Sequence, residues 1–184
     1  MGLDMYIYRV SKPNLDDTVI YNYVDLNGIV LDDGDLDKPM YRQLAPYAQQ
    51  IQVRTQCYDM DKIRRDYELS NDSYISMRSS YRIVITDRKS GKMVDISSDV
   101  IERDYIVEKV EKRFVCNKEE VAYWRKAYDI QNWFYEHIED GVENTGYYIL
   151  PGELLLKFNK VFKEDRIEAE SPDEESALFY WEWY

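Results

Sequence analysis

The sequence predicts an α+β fold: a single domain over residues 1–184, an antiparallel sheet of roughly five to seven strands with two main helices packed on one face. Three observations predict it. At the N-terminus Leu3, Met5 and Ile7 alternate with Asp4, Tyr6 and Tyr8, the period of a half-buried strand. From 117 to 138 apolar residues recur at helical spacing behind a candidate cap at Asn117, with Glu119 and Glu120 in the first turn. Between them, β-rich runs at 81–86 and 92–96 flank Asp87-Arg88-Lys89-Ser90-Gly91, a hairpin loop.

In chain order, strand 1–10 is followed by 18–24 and 29–31 on either side of Asn27-Gly28, a dipeptide suited to a tight hairpin. Asp32, Asp33, Asp35 and Asp37 then crowd four carboxylates into a short run, with Asp37 as cap and Pro39 at the start of a short helix. Counted as a calcium loop, the run puts Lys38 where the loop glycine belongs and Leu44 where the bidentate Glu belongs, so calcium is not expected. Residues 51–58 read as strand, Asp59 or Asp61 as the start of a helix through Leu69, and 105–115 as an extended segment with alternating charges.

The helix predicted over 118–138 places Gln131 within its apolar arc, where an amide needs partners, and Trp133 on its polar side, where an indole either packs under the N-terminal hairpin or the C-terminal tail or serves as an anchor for a partner. Pro151 opens a second helix through Leu154, Leu155, Phe158 and Phe162. An acidic loop over 164–175 contains Glu170, Asp173, Glu174 and Glu175. Beyond it the aromatic C-terminal segment Phe179, Tyr180, Trp181, Trp183 and Tyr184 is expected to dock on the core.

The net charge of −12 is unevenly spread. Residues 1–60 hold 5 basic and 9 acidic side chains, 61–126 hold 15 and 13, and 127–184 hold 4 and 14. That balance disfavours direct binding of a phosphate backbone, although the basic middle, with Arg64, Arg65, Arg78, Arg82, Arg88 and Lys89, keeps nucleic acid as a lesser option. It favours a cationic partner, and the 18 tyrosines supply contact area at low entropic cost.

No stretch of about 18 apolar residues appears, so no membrane partner is expected. Cys57 and Cys116 lie in no ligand motif, and reduced thiols in a cytoplasm are expected. His137 is the only histidine, sits at a helix end and has no sequence neighbour to orient it. The 7 glycines form no phosphate loop. No catalytic residue, metal site or cofactor is expected.

The opening Met1-Gly2-Leu3-Asp4-Met5-Tyr6, the run Glu120-Val121-Ala122-Tyr123-Trp124-Arg125-Lys126-Ala127 continuing to Ile130 and Trp133-Phe134, and the Trp/Tyr-rich end together resemble a family of small phage and mobile-element proteins. In size, acidity and setting such proteins are similar to anti-CRISPR proteins, including ones that block the type II RNA-guided nuclease. The resemblance implies an anti-defence inhibitor in a bacterial cytoplasm, bound to a basic nucleic-acid-handling protein. Gln131 stands where the family more usually has His, which argues against a metal site on the helix. The surfaces expected to meet the partner are Asp32, Asp33, Asp35, Asp37, Trp133, Glu170, Asp173, Glu174 and Glu175. The alternative expectation is a small enzyme acting on a nucleotide or phosphorylated molecule through the basic middle.

Overall fold

The computed structural model describes residues 2–22, 28–79, 82–139, 141–168 and 175–184. Its fold is α+β, in two compact units: Met1–Val53 with Lys112–Tyr184, and Arg54–Glu111.

The first unit is organised around β1 (Asp4–Ser11), which pairs antiparallel with β8 (Ile106–Arg125) on one side and β10 (Ser176–Trp183) on the other. Beyond β10 lies β9 (Tyr148–Ile149); beyond β8 lie β4 (Gln49–Tyr58) and then β2 (Ile20–Asn22), completing with β3 (Ile29–Asp32) a seven-stranded sheet. Among the described residues β2 neighbours β4 and β3 pairs with β8, in place of the hairpin expected across Asn27-Gly28. Asn27 lies outside the described residues, but Gly28 has its own reason for being glycine. A Cβ there would stand 2.2 Å from the Cys116 carbonyl oxygen, so only a bare backbone can approach β8 so closely.

Alternation along β1 and β10 gives the sheet a core on each face. Met5, Ile7, Leu178 and Tyr180 pack with Ile130, Trp133 and Phe134 of α4 (Tyr128–His137) and with Leu155 and Phe158 of α5 (Gly152–Val161). Tyr8, Val10, Ala177 and Phe179 point the other way, into a cluster with Leu31, Leu44 and Tyr147. Leu36, Tyr41 and Tyr47 join that second cluster from α1 (Pro39–Arg42) and the 3-10 turns Asp35–Asp37 and Ala45–Tyr47.

The helix expected over 118–138 begins ten residues later, at Tyr128, because β8 runs on to Arg125. Asn117 caps nothing; it lies in the strand opposite Ser11. The stretch 119–125 satisfies both periods, for Ala122 and Trp124 pack on the first core while Tyr123 is exposed. Pairing with β1 decides between them, since cross-strand contacts and ladder hydrogen bonds exceed the few tenths of a kcal/mol per residue in local helix propensity. Val121 is the extra residue where the register shifts beyond Ile7.

In the second unit Asp59 caps α2 (Met60–Tyr67) as expected, its Oδ1 accepting the Lys62 N–H at 3.0 Å. The expected hairpin is β6 (Ile83–Asp87) with β7 (Met93–Asp95), and β5 (Ser73–Arg78) adds a third antiparallel strand. Ile63, Leu69, Ile85, Ile96, Val100 and Tyr105 form its core, to which α3 (Asp99–Glu102) contributes Val100. Asp87 holds two turns together, accepting from Ser70 N and Oγ at 2.7 Å each and from Lys89 N at 2.8 Å. Those bonds hold its carboxyl far below the usual range.

Candidate interaction surface

The acidic run is a folded turn and only partly a display of charge. Asp35 Oδ2 accepts the Asp32 N–H at 2.8 Å, and its Oδ1 pairs with Lys38 Nζ at 2.6 Å. Asp32 pairs with Arg113 of β8. Gly34, at φ 89°, lets the chain reverse between them. Asp37 does not cap α1: it belongs to the preceding 3-10 turn, and Lys38 occupies the cap position with its side chain turned to Asp35 and no capping bond to the helix. Asp33 and Asp37 are left facing solvent.

Trp133 is not a partner-facing anchor, being 8% exposed. With the helix starting at Tyr128, the buried stripe is Ile130, Trp133 and Phe134 at the i, i+3, i+4 spacing, whereas an arc that includes the strand residues 118–125 points Trp133 to solvent. Its ring meets Phe158 edge-on at 5.2 Å and stacks on His137 at 4.1 Å. Glu170, Asp173 and Glu174 lie outside the described residues, and Glu175 is exposed just before β10. The front of the acidic stretch is tied down. Trp124 Nε1 donates to Asp165 at 3.0 Å, and Asn159 brackets the buried Ile167 through Ile167 N at 2.8 Å and Ile167 O at 3.1 Å.

Gln131 is a satisfied amide, donating to Tyr135 Oη and to Glu182 Oε2, both at 3.1 Å. Glu182, wholly buried, also accepts from Tyr135 at 2.6 Å and Tyr180 at 2.7 Å. Three donors on one carboxylate make a locked joint between α4 and β10. Burial, then the bond to Glu182, raises both tyrosine hydroxyls well above their ordinary range.

The face of the sheet opposite α4 carries a feature assembled from three strands that lie far apart in sequence. Register aligns Tyr123, Tyr6 and Trp181 in one row across β8, β1 and β10, and Arg125, Asp4 and Trp183 in the next. Tyr6 lies 4.8 Å from Tyr123 and 5.4 Å from Trp181, ring centre to ring centre, and stacks on Tyr8 at 5.3 Å. Tyr8 belongs to the covered end of this face, whereas Tyr123 is 45% and Trp183 54% exposed. Asp4 accepts the Tyr123 hydroxyl at 2.8 Å and stands 3.8 Å from Arg125 Nε. Partial burial raises the Tyr6 hydroxyl, and the charges of Asp4 and Glu120 raise it further. Lys118 Nζ sits 4.7 Å over the Tyr8 ring, and burial pushes that hydroxyl up to about 12. The alternation of tyrosines in β1 and of tryptophans in 181–183 was the available signal, but which strands lie side by side was not.

Where α4 ends, a cleft of about 350 Å³ is lined by His137, Glu139, Glu153, Lys157, Gln43 and Tyr148, among others. His137 Nδ1 lies 2.8 Å from the Trp133 carbonyl oxygen, so in the neutral ring Nδ1 is the donor and Nε2 the acceptor. Cys57 and Cys116 are free thiols, and burial pushes Cys116 up to about 12. Among the described residues no group of three His, Cys, Asp or Glu side chains could hold a metal ion, and no helix is long and apolar enough to cross a membrane. The basic residues of the middle are largely engaged: Arg64 with Asp61 and Ser73, Arg82 with Asp95, Arg88 over Tyr74. No protein-family model matches the chain, nor does any curated protein or solved structure.

Proposed function

We propose that this chain is a non-catalytic inhibitor, an anti-defence protein of phage or mobile-element type acting in the cytoplasm of a bacterial host. It binds a basic nucleic-acid-handling protein, most concretely a type II RNA-guided nuclease, and blocks its binding or cleavage of DNA. The sorting of charge carries the reading. The second unit holds 11 basic and 12 acidic side chains, near neutrality, while the first holds 13 and 24, so almost the whole surplus rests on one compact body. A surplus of that kind draws in cationic surfaces and repels phosphate. Because Arg113 and Lys38 already occupy Asp32 and Asp35, the carboxylates offered to the partner are exposed ones such as Asp33, Asp37 and Glu120. The test is DNA cleavage by a reconstituted type II nuclease in the presence of the purified protein. Cleavage should be blocked and restored by added salt, and D33N, D37N and E120Q together should weaken the block. Undiminished cleavage at excess inhibitor, without co-elution, would overturn the reading.

The second reading, a small enzyme acting on a nucleotide or phosphorylated molecule, draws on the cleft at His137, which an imidazole acceptor, two carboxylates and Lys157 line together. It requires hydrolysis of a nucleotide or aryl phosphate that His137→Ala abolishes.

A further inference from the structure

The aromatic face of the first unit is half closed and half open. At its closed end Tyr8 is 8% exposed and packed with Tyr147 and Leu44. At its open end Tyr6 and Trp181 are half-buried, and Tyr123 and Trp183 are exposed at the flanks of the two rows. Aromatic rings aligned across three neighbouring strands are an unusual thing to leave to water, since each offers a flat apolar surface with a negative face.

Three properties specify what such a surface would take. Its carboxylates bracket the rings: Asp4 lies in the row beside Tyr6, and Glu120 is opposite Tyr8 on the other side. Asp4 is already oriented by the Tyr123 hydroxyl, so one of its oxygens is fixed in place while Arg125, mostly exposed, stands too far off to complete a hydrogen bond. The same face already accepts a cation over a ring, Lys118 on Tyr8, and the second unit sets Arg88 at 4.7 Å over Tyr74. A planar cation that stacks on one surface and presents donors at its edge matches rings bracketed by carboxylates better than an ammonium does. A nucleobase would also stack, but its phosphates would meet the negative unit.

We propose that the open rows Tyr123–Tyr6–Trp181 and Asp4–Trp183 are a seat for an arginine side chain of a protein partner, the guanidinium stacked on a ring and paired at its edge with Asp4. This rests on the reading of the protein as a binder of basic partners and names the residues and the side chain through which it binds.

The experiment is calorimetric titration of the full chain with three probes: a short peptide alternating arginine with glycine, the lysine–glycine peptide of equal charge, and a single-stranded DNA oligonucleotide. The arginine peptide should bind about tenfold more tightly than the lysine peptide, and Y123S or W183S should each remove about that factor. Both side chains are exposed, so an unchanged thermal transition shows that the variants still fold; D4N should weaken arginine binding as well. D33N with D37N should leave the arginine preference in place. Equal binding of the two peptides, a preference for DNA, or indifference to Y123S and W183S would overturn the seat. Should the peptides bind equally while the chain still blocks the nuclease, the seat fails and the inhibitor reading stands. If arginine preference is seen and cleavage is not blocked, the seat stands and the named partner is wrong.

Discussion

The two units spend their charged and aromatic side chains in opposite ways. In the second unit, carboxylates do the structural work: Asp87 ties two turns, Asp95 receives Arg82 at 2.8 Å and Ser97, and Asp99 takes Tyr67 and Arg103. Four ion pairs, Arg54–Glu108, Arg64–Asp61, Arg82–Asp95 and Arg103–Asp99, join acids to bases within it. In the first unit, stacked rings on both faces of β1 and β10 hold the sheet, and the acidic surplus is mostly left at the surface. A count of charges therefore says little until each carboxylate has been assigned an internal role or none.

Breaking the aromatic core tests this contrast most severely. Phe134 is 1% exposed and stacks on Tyr180 at 4.2 Å and Phe158 at 5.2 Å, so Phe134→Ala should cost about 3–5 kcal/mol. All four tryptophans, Trp124, Trp133, Trp181 and Trp183, belong to the first unit, so indole fluorescence in urea reads that unit alone. The fluorescence transition should move while hydrogen exchange at Ile85 stays put; a parallel change in both would show that the units are not energetically separate.

Next in size is Glu182→Ala, which strands the donors of Gln131, Tyr135 and Tyr180 and should cost about 3 kcal/mol, with Glu182→Gln costing less because an amide oxygen still accepts. Equal costs in urea denaturation would mean that the charge, rather than the acceptor, matters.

The units should also part on the acid side of a pH titration. Hydrogen bonds from Ser97 and then Arg82 hold Asp95 down to about 2, and Asp87 and Asp99 are lowered as well. A carboxyl whose folded pKa lies below its unfolded value of about 4 stabilises the fold above that pH and loses its contribution as the pH falls through the folded pKa. Acid should thus loosen the second unit, seen as faster exchange at Ile85 between about pH 4 and pH 2. In the first unit the exposed Asp16 is the lowered counterpart. On the alkaline side the sign reverses. Tyr8 is raised to about 12, so its contribution is complete below about pH 10 and is lost as the pH climbs through the folded value. Tyr67 and Tyr105 give the second unit an alkaline response too, so the acid limb is the one that discriminates.

The smallest effect is expected from Arg88→Ala, which removes a guanidinium from the Tyr74 ring and should change stability by about 0.5–1 kcal/mol.

Much of this was legible where the chain instructs itself locally. Asp59 as a cap, the β6–β7 hairpin, Pro151 before α5 and the docking of the aromatic end all follow from short stretches. The failures share a cause in distance along the chain. Residues 118–125 fit helix and strand equally well, and the choice falls to a β1 partner more than a hundred positions away. The facing of Trp133 depends on the same choice, since a helical arc that counts the strand residues 118–125 turns the indole outward. The four aspartates looked alike in sequence, yet Arg113, about eighty residues on, claims one and Lys38 another. Of the candidate surface, the alternating tyrosines of β1 were visible, but their alignment with Tyr123 and Trp181 needed the register.

The position of β10 has a bearing on synthesis. β1 emerges from the ribosome well ahead of both its neighbours in the sheet, one of which is residues 176–183. The nascent β1 must therefore wait with both edges unsatisfied, while 54–111, continuous and locally paired, is free to consolidate during elongation. A stop codon anywhere before Ser176 would release a chain whose first strand keeps a bare, ring-studded edge, a natural template for aggregation.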